Sequence, residues 1–154
     1  MHFGLKKVYT FLYPFFTMAD NCIFCRIISG EIPSYKVYED SEFLAFLDIS
    51  QFTPGHTLVI PKQHYRFVWD VENIAGYYQV VQKIAAHYSA LGYKFIDSLV
   101  MGRDVPHAHV HLIPHNDNYQ PWKEATAAIE SASRPETKLT PENGNLLVNK
   151  LKLT

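Results

Sequence analysis

Apolar and polar positions alternate along this chain with two distinct periods. "KVYED" and "EFLAFLDI" are short β-rich runs separated by Asp40-Ser41, a turn signal, so they predict two strands. "TPGHTLVIPK" predicts a turn at Pro54-Gly55 and a third strand ended by Pro61. Between Asp70 and Gly92 the period changes. Ile74, Tyr77, Tyr78, Val81, Ile84, Ala85, Tyr88 and Leu91 recur at three- and four-residue spacing, which predicts a long amphipathic helix closed by Gly92. "YKFIDSLVMG" and "HAHVHLIP" return to strand character.

Shorter segments frame this body. "NCIFCRIISGEIPS" predicts a short helix ending near Gly30, with Pro33 beyond it. "WKEATAAIESA" predicts another short helix, and the polar tail 133–154 is expected to be loose. The order is helix, three strands, long helix, two strands. Short turns between strands imply an antiparallel sheet of about five strands with helices packed on it, an α+β fold. The expected division is an N-terminal extension at 1–17, a domain at 18–132 and the tail, with Met18 as the working start. Lys6 and Lys7 followed by an apolar stretch loosely resemble a signal peptide, but Tyr and Pro interrupt the stretch and no small-residue cleavage site follows.

Composition narrows the classes. With 154 residues, 47 % hydrophobic, the chain has room for one domain with its own core. A net charge of -1 supplies no basic excess for a nucleic-acid backbone. No apolar run reaches the ~18 residues of a membrane span. Two cysteines are too few for a secreted disulfide framework, so a reducing, cytoplasmic setting is expected.

The chemistry is concentrated in "PHAHVHLIPH", Pro106 to His115, which holds four of the eight histidines. On a strand, residues two apart share a face at ~7 Å. His107, His109 and His111 should therefore face one way, and Ala108, Val110 and Leu112 the other, into apolar packing. Three readings are open: all three imidazoles on one metal, a nucleophilic histidine flanked by orienting imidazoles, or a polar sheet face without chemistry. The pair Cys22 and Cys25 in "CIFC" is likewise either a redox pair or half of a zinc site.

"HAHVHLI" resembles the signature of the histidine-triad (HIT) family. "CIFCRIISGEIPSYKVYEDSEFLAFLDISQFTPGHTLVIPKQH" resembles the N-terminal half of its Hint-like branch, in its zinc-containing bacterial form. Together the motifs cover about Asn21 to Trp122. The resemblance implies a nucleotide hydrolase or transferase acting at the α-phosphate of purine nucleoside phosphoramidates or dinucleoside polyphosphates. It makes His109 the nucleophile, forming a nucleotidyl-histidine intermediate, with His111 donating to phosphate or leaving-group oxygen and His56 at the same site. It implies structural zinc on Cys22, Cys25, His64 and His107. It assigns Asp48 to the ribose hydroxyls and Ile23, Phe24, Ile27, Phe46 and Ile49 to the purine. It also implies a homodimer and no organic cofactor.

Just before the triad the chain departs from the family. Arg103 stands where the family commonly has Gln, Asp104 where it has Ser or Thr, and an Asn-bearing loop is shortened. Arg103 could still hold an anion through its guanidinium. Asp104 would repel phosphate unless it pairs with Arg103 or faces away. Trp122 resembles a C-terminal tryptophan near the site in some relatives, and equally suits packing or a dimer interface. Two other functions follow from the same residues: a nucleotide-binding regulatory module without turnover, and a zinc-dependent hydrolase with the triad as metal cage.

Overall fold

In a computed structural model, which describes residues 21–116, 120–131 and 139–153, five strands form one antiparallel sheet. Its strands are β1 (Lys36–Glu39), β2 (Phe43–Leu47), β3 (Thr57–Pro61), β4 (Phe95–Leu99) and β5 (Val110–His115), in the spatial order β1-β2-β3-β5-β4. The helices are α1 (Ile23–Ile28), α2 (Ile74–Ala90), α3 (Gln120–Ser131) and α4 (Pro141–Leu151). The expected extension at 1–17 and the start at Met18 lie outside the described residues. Among the described residues, no helix is long and apolar enough to cross a membrane.

The central strands are buried on both faces, so they carry continuous apolar runs. Phe43, Ala45 and Val59 join Val110 and Leu112 against Tyr77, Val81 and Ile84 of α2. Leu44, Phe46, Leu58 and Ile60 turn the other way, against Phe24 and Ile27 of α1. The tight link between β1 and β2 follows from Asp40, whose carboxylate accepts from the amides of Glu42 (2.8 Å) and Phe43 (2.7 Å). Gly55, at φ +98°, enters the turn before β3 where any Cβ would meet Pro114 at 3.0 Å.

Three sequence expectations are corrected. The last strand begins at Val110, so His107 and His109 precede it in irregular backbone. The facing alternation nevertheless extends through them: Ala108, Val110 and Leu112 all join the α2-side core. On α2 the buried face includes Val80, whereas Ile74, Tyr78 and Leu91 are exposed. Ile74 and Tyr78 border a shallow apolar surface with Val68, Trp69 and Val100 instead of the core. The tail is not uniformly loose, since α4 forms within it. Thr140 caps that helix by accepting from the Asn143 amide, with Pro141 entering the first turn, although the helix buries no residue.

Candidate active site and metal centre

Cys22 and Cys25 are brought together by one turn of helix, Cys22 capping α1 and Cys25 lying inside it. His64 comes from the segment after β3, and His107 from the segment before β5. Their ligating atoms all lie within 4.8 Å of one another. His107 Nδ1 is 3.4 Å from Cys22 Sγ and 3.5 Å from Cys25 Sγ, while His64 Nδ1 is 3.3 Å from Cys25 Sγ. Zinc bonded tetrahedrally at its usual lengths would set sulfur and nitrogen about 3.6 Å apart. The Nε2 of His107 donates to the Pro61 carbonyl at 2.9 Å, which leaves its Nδ1 lone pair directed at the sulfurs. Burial pushes the His107 imidazole down to about 4, and His64 and His109 nearby push the same way against the Pro61 bond. A neutral, buried imidazole beside two thiols fits a closed zinc site in ligand type, spacing and protonation.

His109 is only 7 % exposed, yet it does not belong to the Cys₂His₂ cluster. Its Nδ1 donates to the carbonyl of its own neighbour-but-one, His107, at 2.6 Å. That bond assigns the ring proton to Nδ1 and leaves the Nε2 lone pair available. Phe24 meets the ring edge-on at 5.4 Å and His111 at 5.0 Å between centroids, which fixes its plane.

His111 and His56 form the second imidazole pair. The strand register sets Leu58 opposite His111, two residues along β3 from His56. His56 Nε2 and His111 Nδ1 are 2.9 Å apart. Gln51 fixes the approach to β3 by accepting from the amides of Gly55 (2.8 Å) and His56 (3.1 Å). The Nε2 of His111 is buried and has no partner among the described residues. Burial, then the neighbouring His109 and His56, push His111 down to about 4 against the pull of Asp48. Burial lowers His56 too, against its bond to Ser50 and the charge of Asp48. Asp48 Oδ2 stands 3.8 Å from His56 Nδ1.

The three triad histidines therefore do not converge on a single metal. His107 faces the cysteines, His109 faces its own backbone, and His111 faces His56. Of the expected purine contacts, Phe24, Ile27 and Phe46 are core residues, whereas Ile23 and Ile49 are 45 % and 90 % exposed. Arg103 is exposed and, with His109, lines a cavity of about 370 Å³ that also includes Arg66, Phe67 and Trp69. Arg66 donates to the Gly102 carbonyl, holding the departing loop. Among the described residues no ion pair joins Arg103 to Asp104. Trp122 is buried, its indole donating to Asp97 at 2.6 Å, and Asp97 also meets His115 at 3.0 Å. Sequence reasoning missed Phe52, whose ring stacks on His56. The signal was present in "QFTPGH", which sets an aromatic four residues from a histidine across a turn.

The antiparallel sheet and the His107, His109 and His111 run are those of a histidine-triad protein, and a Cys₂His₂ cluster lies beside them. The HIT domain family model matches residues 29–118, and the chain belongs to that family. It is 43 % identical to the Bacillus subtilis Protein hit, over 67 % of this chain and 86 % of that one. It is 35 % identical to an adenosine 5′-monophosphoramidase of Saccharomyces cerevisiae, over 66 % of each. Among solved structures, a HIT family member from Bacillus subtilis superposes with a TM-score of 0.69 at 36 % identity, covering 87 % of this chain and 99 % of that one. A zinc-bound histidine-triad protein from Mycobacterium smegmatis gives 0.61 at 32 % identity, covering 75 % and 99 %.

Proposed function

We propose that the chain is a nucleotide hydrolase or transferase that cleaves purine nucleotide conjugates at the α-phosphate, with nucleoside 5′-phosphoramidates or dinucleoside polyphosphates as substrates. The observation that carries this reading is the bare Nε2 of His109, fixed by the 2.6 Å bond from Nδ1 to the His107 carbonyl. The similarity to an adenosine 5′-monophosphoramidase supports the same substrate class.

In the first step His109 Nε2 forms a bond to phosphorus and the bond to the leaving group breaks. The departing amine or phosphate takes a proton from solvent while His111 hydrogen-bonds the leaving group. In the second step water attacks phosphorus and gives its proton to the unpartnered Nε2 of His111 as the bond to His109 Nε2 breaks, and the nucleotide leaves; His111 then returns the proton to solvent. Two easier displacements replace one difficult one. Asp48 accepts from the ribose hydroxyls, and the exposed Ile23 and Ile49 cover the base beside Phe24, Ile27 and Phe46. Arg103 steadies the anionic leaving group.

Zinc on Cys22, Cys25, His64 and His107 supplies a structural crosslink between α1 and the sheet. Those four residues hold the N-terminal helix against the triad. Edge strand β4 and the exposed Trp69, Tyr78, Phe95 and Val100 support a homodimer, because an unpaired edge beside apolar surface favours association.

The test is turnover of a fluorogenic adenosine 5′-phosphoramidate by wild type and His109→Ala. Turnover that disappears in the variant supports the reading, and equal rates would refute the nucleophile. A second reading, a nucleotide-binding module without turnover, is favoured by Arg103-Asp104. It predicts tight AMP binding and no hydrolysis of any conjugate.

A further inference from the structure

Phe52 is a large aromatic residue that the core does not use. It is 39 % exposed, while the imidazole beneath it, His56, is fully buried. The two rings are nearly parallel, 11° apart in plane with centroids at 4.7 Å. Phe52 also reaches His111 at 6.2 Å and a plane angle of 27°. Its ring also meets that of Trp122, with centroids 5.6 Å apart. Trp122 is in turn held by Asp97. The apolar ring thus touches both the imidazole pair and Trp122 of α3.

The backbone of Phe52 meets the same imidazole. His56 Nδ1 lies 3.2 Å from the Ser50 carbonyl and 3.4 Å from the Phe52 amide. With a proton on Nδ1, the ring donates to Ser50. Its Nε2 then accepts from His111 Nδ1, and His111 presents a bare Nε2. With the proton on Nε2, the ring accepts from the Phe52 amide and donates to His111. His111 then presents Nε2–H. Either tautomer of His56 finds a backbone partner for Nδ1, the Ser50 carbonyl when it carries the proton and the Phe52 amide when it does not.

We propose that Phe52 is a positioning residue: its ring holds His56 in plane with His111 and shields the pair from water, so that His111 can serve as either proton donor or acceptor. This rests on the hydrolase reading for its kinetic consequence, but the geometric claim is separable from it. The groups facing the pair are Asp48 at His56 Nδ1 and His109 beside His111. Behind Trp122 stand Asp97 and His115.

The experiment compares wild type, Phe52→Ala, Phe52→Leu and Phe52→Tyr. Ring-nitrogen NMR follows the tautomer and titration of His56 and His111 without any substrate. Steady-state kinetics with an adenosine phosphoramidate are then measured against pH. In Phe52→Ala water reaches His56, so its midpoint rises towards the ordinary 6.5. A protonated His56 cannot accept from His111, so the acid limb of kcat moves to higher pH. The kcat should fall roughly tenfold to a hundredfold with KM within about twofold. Phe52→Tyr restores the flat face and the wild-type profile. Phe52→Leu keeps the apolar bulk, so it folds, but lacks the plate and shows the loss.

Unchanged imidazole resonances in Phe52→Ala and Phe52→Leu, or an unchanged kcat and pH profile beside an active wild type, would overturn the proposal. An inactive wild type would instead count against the hydrolase reading, and the NMR arm would still decide the role of Phe52.

Discussion

The Nδ1 of His109 lies 2.6 Å from the carbonyl oxygen of His107, so one triad histidine's backbone sets the tautomer of the next. His107 can do this because its own ring is fixed between Pro61 and the two cysteines. The proposed metal centre and the proposed nucleophile are thereby coupled through two residues of chain. His109→Ala should lower turnover by at least about 10³-fold. AMP affinity, read by calorimetry, should change little.

Metal removal should act through stability. Cys25→Ser, or prolonged exposure to a strong chelator, should abolish stoichiometric zinc in elemental analysis. It should lower the thermal midpoint by an amount corresponding to several kcal/mol. If chelation at moderate temperature stopped the reaction while the fold persisted, the structural assignment of the metal would fail.

The pH dependence of folding follows from His111. Its folded-state value, about 4, lies below the ordinary 6.5, so the unfolded chain binds the proton more readily. The associated stability is therefore fully present above about pH 6.5 and lost as pH falls towards and through about 4. The shift corresponds to an effect of order 3 kcal/mol. Thermal melts of wild type and His111→Asn across this window should differ in slope, the variant being flatter. Metal-dependent acid lability is common to both proteins and cancels in the comparison.

Arg103→Ala should separate substrate classes. The exposed guanidinium of Arg103, on the cavity beside His109, favours leaving groups that carry phosphate. Its loss should raise KM for diadenosine tetraphosphate about tenfold, a typical effect of one charge-assisted contact. A neutral phosphoramidate should be affected far less. Equal effects on both substrates would show that Arg103 does not distinguish leaving groups.

Leu44 tests the packing that supports the site. It is completely buried on the α1 side of the sheet, with Phe46 and Ile60 beside it in the same cluster. Leu44→Ala should cost about 2–5 kcal/mol in denaturant unfolding. A cost below about 1 kcal/mol would mean that this layer tolerates a void.

The sequence by itself determined the element order, because strand and helix periods are local properties of side-chain direction. The turns at Asp40-Ser41 and Pro54-Gly55 were legible for the same reason, and the triad's facing pattern followed from the two-residue repeat. Family resemblance nominated Cys22, Cys25, His64 and His107 as one cluster, and the fold does gather them. The helical face was only partly legible. Periodicity marks an apolar stripe, but the position of the sheet decides that Val80 is covered while Ile74 and Tyr78 are not. The α4 segment was missed because its polar composition outweighed the Thr140-Pro141 start signal. Only the tertiary structure joined Phe52 to His56 and Trp122, and Trp122 to Asp97. Those contacts cross between elements far apart in the chain. Their distances and ring angles depend on how the sheet and α3 pack, which no local pattern encodes.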